Sequence, residues 1–118
     1  MQQQQSPAMP IEVVYQNGYQ IIRIAQTLDR GMDLSPLRSC IEQALAQGIN
    51  RVALSLTPDS FLYSEILAHL VTYYKMVNAQ GGSLWIVQAN EKILFILETI
   101  GLSDLIHIVP SEDALPAA

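Results

Sequence analysis

The stretch R51-VALSL-TPDS-FLYSEIL-67 decides the fold. Val52, Ala53, Leu54 and Leu56 make a run short enough for one strand and apolar on both faces, as a strand buried on both sides must be. Thr57-Pro58-Asp59-Ser60 breaks the run. Leu62, Ile66, Leu67, Leu70, Tyr74 and Val77 then recur at helical spacing, so a helix runs to about Ala79. A central strand followed directly by a long amphipathic helix is half of a right-handed crossover, and it predicts a parallel neighbour on each side.

The flanks supply those neighbours. On the N-terminal side, "IEVVY" (11–15) and "YQIIRIA" (19–25) are strands joined at Asn17-Gly18, a pair suited to positive backbone angles and so to a tight hairpin. After the loop "TLDRGMDL", Ser35-Pro36 opens a helix with Ser35 as cap and Pro36 at its first position. Leu37, Ile41, Ala44 and Leu45 form its apolar face, and Gly48 ends it. On the C-terminal side, Gly81-Gly82 precedes the strand "SLWIV" (83–87). Asn90 caps "EKILFILETI", Gly101 terminates it, and "LIHIV" (105–109) is a last short strand. "SEDAL" (111–115) is a terminal helical turn with Ser111 as cap. The expected order is β-β-α-β-α-β-α-β-α, a mixed, largely parallel sheet of about five strands in a single small α/β domain.

The composition is consistent with that domain. Of 118 residues, 50% are hydrophobic, which argues against disorder. No apolar run reaches the ~18 residues needed to span a bilayer. Residues 1–10, "MQQQQSPAMP", have neither a basic residue nor an apolar block, so they read as a flexible arm and not as a signal peptide. The domain proper is 11–118, and the chain reads as cytoplasmic. Eleven acidic and six basic residues leave a net charge of −5. That disfavours nucleic acid and anionic membrane surfaces, both of which are bound by cationic side chains. A protein partner or a small ligand fits better. The single cysteine, Cys40, rules out an internal disulfide and reads as a partly buried thiol.

Catalytic patterns are missing from the sequence. It has no phosphate-binding loop, no GxGxxG and no CxxC. His69 and His107 lie on different elements without metal-ligand spacing. Ser64 lacks the flanking glycines of a nucleophile elbow. Asp29, Asp33 and Asp59 fall in loops at strand ends, where sites cluster in α/β proteins and where ordinary turns also use aspartate. No catalytic residue, metal site or cofactor is expected, and neither is enzyme activity.

From residue 11 to residue 115 the order of elements resembles the STAS domain, the family of sulfate transporters and anti-sigma factor antagonists. "NGYQIIRIAQTLD" is similar to the family's opening hairpin and its Gly-x-Leu-Asp loop, with Leu28-Asp29 matching and Gln26 in place of glycine. "RVALSLTPDSFLYSEIL" resembles the central strand and the segment leading into the switch helix. "YYKMVNAQGGSLWIV" and "ILETIGLSDLIHIVPSEDAL" resemble the later Gly-Gly strand and the C-terminal helix, turn, strand and closing segment. The resemblance implies helices packed mainly on one face of the sheet. It also implies a non-enzymatic module that binds a protein partner, such as an anti-sigma factor or a serine kinase. In the bacterial regulators the switch helix begins Asp-Ser-Ser/Thr-Gly, and the first serine is phosphorylated. The aligned residues here are Tyr63, Ser64, Glu65 and Ile66, so only the serine is kept.

Ser64 is therefore the phosphorylation candidate. Asp29, Asp59, Ser60, Tyr63, Ser64 and Glu65 are the candidate partner-binding residues. A plainer reading of Ser64 as a helix-start residue stands beside the switch. Some lone STAS proteins instead serve a lipid-transport ABC complex by binding its ATPase, and that is the alternative role. A small-ligand sensor is a third, for which no convergent polar groups are apparent. On "EKILFILETI", Phe95 and Ile96 add apolar surface outside the expected core face of Ile93, Leu97 and Ile100. That makes the helix a candidate surface for a partner or for homodimer formation.

Overall fold

A computed structural model describes residues 11–24, 34–56, 64–87 and 90–116, with the side chains of Ser64 and Glu65 left out of the description. The hairpin expected at Asn17-Gly18 is there: β1 (Ile11–Gln16) and β2 (Tyr19–Ile24) pair antiparallel in an unbroken register from Ile11↔Ile24 to Gln16↔Tyr19. Both turn residues take positive φ, 56° at Asn17 and 86° at Gly18. That combination gives the two-residue turn whose twist matches the strands it joins. The N-terminal arm lies outside the described residues.

The remaining strands are β3 (Arg51–Ser55), β4 (Ser83–Val87) and β5 (His107–Val109), and the sheet order is β1-β2-β3-β4-β5. All contacts after the hairpin are parallel. The 51–55 strand is central, as its two-sided apolar run requires. The crossovers pass through α1 (Ser35–Ala46), α2 (Ser64–Ala79) and α3 (Glu91–Thr99).

Strand alternation sorts the apolar residues onto two faces. Ile22, Ile24, Val52, Leu54, Leu84 and Ile86 meet Leu37 and Ile41 of α1, Ile66, Leu70, Tyr73 and Val77 of α2, and Ile93 and Leu97 of α3. The opposite face holds a smaller cluster of Tyr19, Ile21, Ala53, Val87 and Leu115, with Val14, Trp85 and Val109 at its margin. Among the described residues no helix covers that face. It is closed in part by the chain end, where a single 3-10 turn, Glu112–Ala114, lays Leu115 against the strands.

Several local expectations are corrected. Leu34, not Ser35, occupies the cap position of α1, so Ser35 is the first helical residue and Pro36 the second. Tyr73 is the fully buried tyrosine of α2, while Tyr74 is half-buried beside the core. The burial stripe runs Ile66, Leu70, Tyr73, Val77, a regular i, i+4, i+7, i+11 spacing; Tyr74 lies one residue, about 100°, round the helix from Tyr73. Ile100, expected on the core face of α3, is the residue after the last helical turn and is 50% exposed. "LIHIV" forms a strand only from His107, because Leu102–Asp104 is a 3-10 turn that delivers Ile106 to the core. The last element is a 3-10 turn, with Ser111 at its cap position but no cap bond from its side chain. Asn90 does cap α3, its Oδ1 accepting the Ile93 N–H at 2.9 Å.

Candidate interaction site

Because β2, β3 and β4 run parallel, their C-terminal ends, Ile24, Ser55 and Val87, lie along one edge of the sheet. The Leu56 N–H donates to the Val87 carbonyl at 3.2 Å and continues the ladder one residue past β3. The connection carrying Asp29 leaves from Ile24. The connection carrying Asp59, Ser60 and Tyr63 leaves from Leu56, on the adjacent strand. Asp29, Asp59, Ser60 and Tyr63 themselves lie outside the described residues. Ser64 and Glu65 are the first two residues of α2. Two residues on, Ile66 is 2% exposed and packs with Leu70 around Ile24, Leu34, Leu54 and Leu56. The helix start is thereby fastened to the end of the sheet from which the two candidate connections depart.

The other titratable groups do not assemble into chemistry. Among the described residues no three of His, Cys, Asp and Glu are grouped to hold a metal ion. His69 stacks on Tyr73 from the outer face of α2, with ring centroids 6.1 Å apart. His107 lies over Trp85 at 4.3 Å, and Trp85 meets Tyr19 edge-on. Cys40 is half-buried, and burial raises its thiol pKa. The Tyr73 hydroxyl sits in the apolar core with no hydrogen-bond partner among the described residues, and burial pushes its pKa up to about 12. No helix among the described residues is long and apolar enough to cross a membrane.

One polar cluster escaped the sequence. On the helix-free face, Arg23 donates from Nε and Nη2 to the two Glu112 oxygens, at 2.9 and 2.7 Å, and from Nη1 to Glu12 at 3.0 Å. The two-pronged pair fastens the terminal turn to β2 across 89 residues of sequence, a separation no local pattern reports. The Arg23 hydrogen bond is the main reason the Glu112 carboxyl titrates below its ordinary value of 4.5; partial burial opposes it. A carboxyl depressed in the folded state stabilises the fold above the unfolded value, and that contribution is lost as the pH falls through the folded one. Glu112→Gln is therefore expected to melt below the parent at pH 7, with the gap closing as the pH falls below the folded-state value. A gap unchanged with pH would show that Glu112 contributes by shape alone.

A five-stranded mixed sheet opened by an edge hairpin, with its helices on one face, defines a class of small α/β domains. The STAS domain matches this chain over residues 10–115, and the chain belongs to that family. No curated protein matches it by sequence. Among solved structures it is similar to a Thermotoga maritima protein ascribed the role of anti-sigma factor antagonist. The crystal structure of that protein has a TM-score of 0.72 at 21% identity, over 91% of this chain and 90% of that one. The same Thermotoga protein in solution scores 0.71 at 20% identity, over 96% and 89%. An anti-sigma factor antagonist from Mycobacterium paratuberculosis scores 0.70 at 20% identity, over 92% of each chain. At this identity the likeness speaks for the fold.

Proposed function

We propose that this chain is a non-enzymatic, cytoplasmic regulatory module of the anti-sigma factor antagonist kind, which binds a protein partner where α2 begins. The observation that carries the reading is the shared origin of the candidate segments. The Asp29 and Asp59–Tyr63 connections start from neighbouring parallel strands, and Ser64 opens the helix anchored beside them by Ile66. The acidic balance of the chain favours a protein over nucleic acid as the partner. In this reading Ser64 is the switch. A phosphate there adds about −1.5 to −2 charges at a helix start whose free amides and dipole accommodate an anion, whereas a partner packed on that end is repelled. Glu65 stands next in the chain and opposes the added charge, which makes Glu65→Ser the substitution that eases the switch.

The test is titration of the partner, an anti-sigma factor or its kinase from the native host, against Ser64→Asp and Ser64→Ala. A switch predicts that Ser64→Asp shifts affinity by about tenfold or more, or about 1.4 kcal/mol, and that Ser64→Ala changes it far less. A helix-start role alone reverses the order in stability, since Asp replaces Ser well while Ala costs about 0.5–2 kcal/mol. Unchanged affinity in Ser64→Asp, Glu65→Ala and Asp59→Ala alike would remove this end from the interface. Capture of a transport ATPase in place of a sigma-factor regulator would move the chain to the lipid-transport role.

A further inference from the structure

We propose that β1 pairs with β1 of a second copy of this chain, antiparallel about a two-fold axis at Val14, to form one continuous sheet across a weak homodimer. The sheet ends in two unlike edges. β5 has three residues and is followed by Pro110, which makes a short and poorly receptive edge. β1 has six residues, an unbroken register and neither proline nor lysine, and among the described residues nothing pairs with its outer side. Among the described residues the only device that blunts this edge is one charge, on Glu12.

The outer side of β1 is also suited to its own copy. A two-residue turn makes Gln16 and Tyr19 a hydrogen-bonded pair. Alternation then turns the backbone groups of Val13 and Tyr15 outward, away from β2. Their side chains lie on the helix-bearing side, beyond the helices, at 44% and 62% exposure. With the axis at Val14, Val13 faces Tyr15 of the second copy, and Tyr15 faces its Val13. This gives about four backbone hydrogen bonds and two aromatic–β-branched pairs of the kind that stabilise sheets. On the opposite face Val14 meets its copy beside the Tyr19–Ile21–Ala53 cluster, which the dimer would extend.

Charge permits this register. Glu12 is held by Arg23 of its own chain and falls opposite Gln16 of the copy. The two Glu12 residues stand about 13 Å apart along the strands, beyond the ~10 Å screening length at 0.1 M salt. A contact of five residues per strand is small against the ~1,200 Å² of a stable interface, so the dimer is concentration-dependent.

Sedimentation of the full chain over a wide concentration series tests this. The average mass should rise from 13.1 kDa toward twice that value. The Val13 and Tyr15 amides should gain hydrogen-exchange protection along the same curve. Val13→Lys/Tyr15→Lys together should weaken association by at least about tenfold, the size of effect set by 1.4 kcal/mol. Phe95→Ser, on the exposed face of α3, should leave it unchanged. A monomer at every concentration overturns the proposal. So does association lost with Phe95→Ser but kept by the double lysine variant, which would place the contact on α3. Val13 and Tyr15 amides protected equally at all concentrations would mean that the chain's own N-terminal residues occupy the edge, and this too overturns it.

Discussion

Gly82→Ala is expected to lower the unfolding free energy by about 3 kcal/mol, the upper part of the range for overpacking against an unyielding neighbour. A Cβ at Gly82 would overlap the Asn50 carbonyl oxygen and come within 2.6 Å of the Asn50 Cβ. That oxygen cannot swing aside. It belongs to the backbone and accepts the Ser83 N–H at 3.0 Å, the bond that leads into β4 beside β3. The Asn50 side chain is committed as well, its Nδ2 donating to the Gln80 carbonyl at 3.1 Å. Gly82 also closes α2, its N–H reaching back to the Val77 carbonyl at 3.0 Å while Gly81 takes the left-handed turn at φ 74°. The informative comparison is Gly81→Ala, where the added Cβ meets nothing and the cost is the left-handed backbone alone, about 1–2 kcal/mol. Chemical denaturation of both variants decides the matter. A Gly82→Ala change no larger than that of Gly81→Ala would mean that the 80–83 turn can move away from Asn50.

Leu54→Ala is expected to cost about 2–5 kcal/mol, the range for emptying a large aliphatic site in a packed core. Leu54 is 1% exposed on the central strand. It borders a small internal void together with Leu37 of α1, Ile66, Leu70 and Tyr73 of α2, and Ile86 of β4. Removing it enlarges a gap that the sheet, pinned on both sides by β2 and β4, is poorly able to close. Leu115→Ala makes the useful contrast. Leu115 is 7% exposed but caps the smaller cluster from a terminal turn that can settle onto the strands, so its cost should be clearly lower. Equal losses at the two positions would show that the helix-free face is as cooperative a part of the core as the helix-covered one.

Much of this architecture was legible from local chemistry. Asn17-Gly18 could hardly serve as anything but a hairpin turn, and the apolar run at 52–56 demanded a strand with neighbours on both sides. Gly48, Gly81 and Gly101 marked helix ends because each takes a positive φ, which glycine adopts without strain. The Asn90 cap followed from one side chain and a bond three residues away. The second helix was readable in outline, since the break at 57–60 and the apolar periodicity from Leu62 bracket it, although the helix itself begins only at Ser64. What lay beyond reach depended on where distant segments meet. Tyr73 and Tyr74 are chemically equivalent in sequence, and only the docking angle of α2 chose which would be buried. Ile100 continued an apolar pattern but fell one residue past the last turn that packing supports. The Arg23–Glu112 pair joins the first strands to the chain end, and its 2.7 Å contact exists because β2 lies beside β3 and the terminal turn crosses their helix-free face. Local periodicity determined which elements form and which way each faces; the tertiary arrangement alone decided which side chains touch, because contact across a sheet depends on strand order and docking angle, and neither is written in any local pattern.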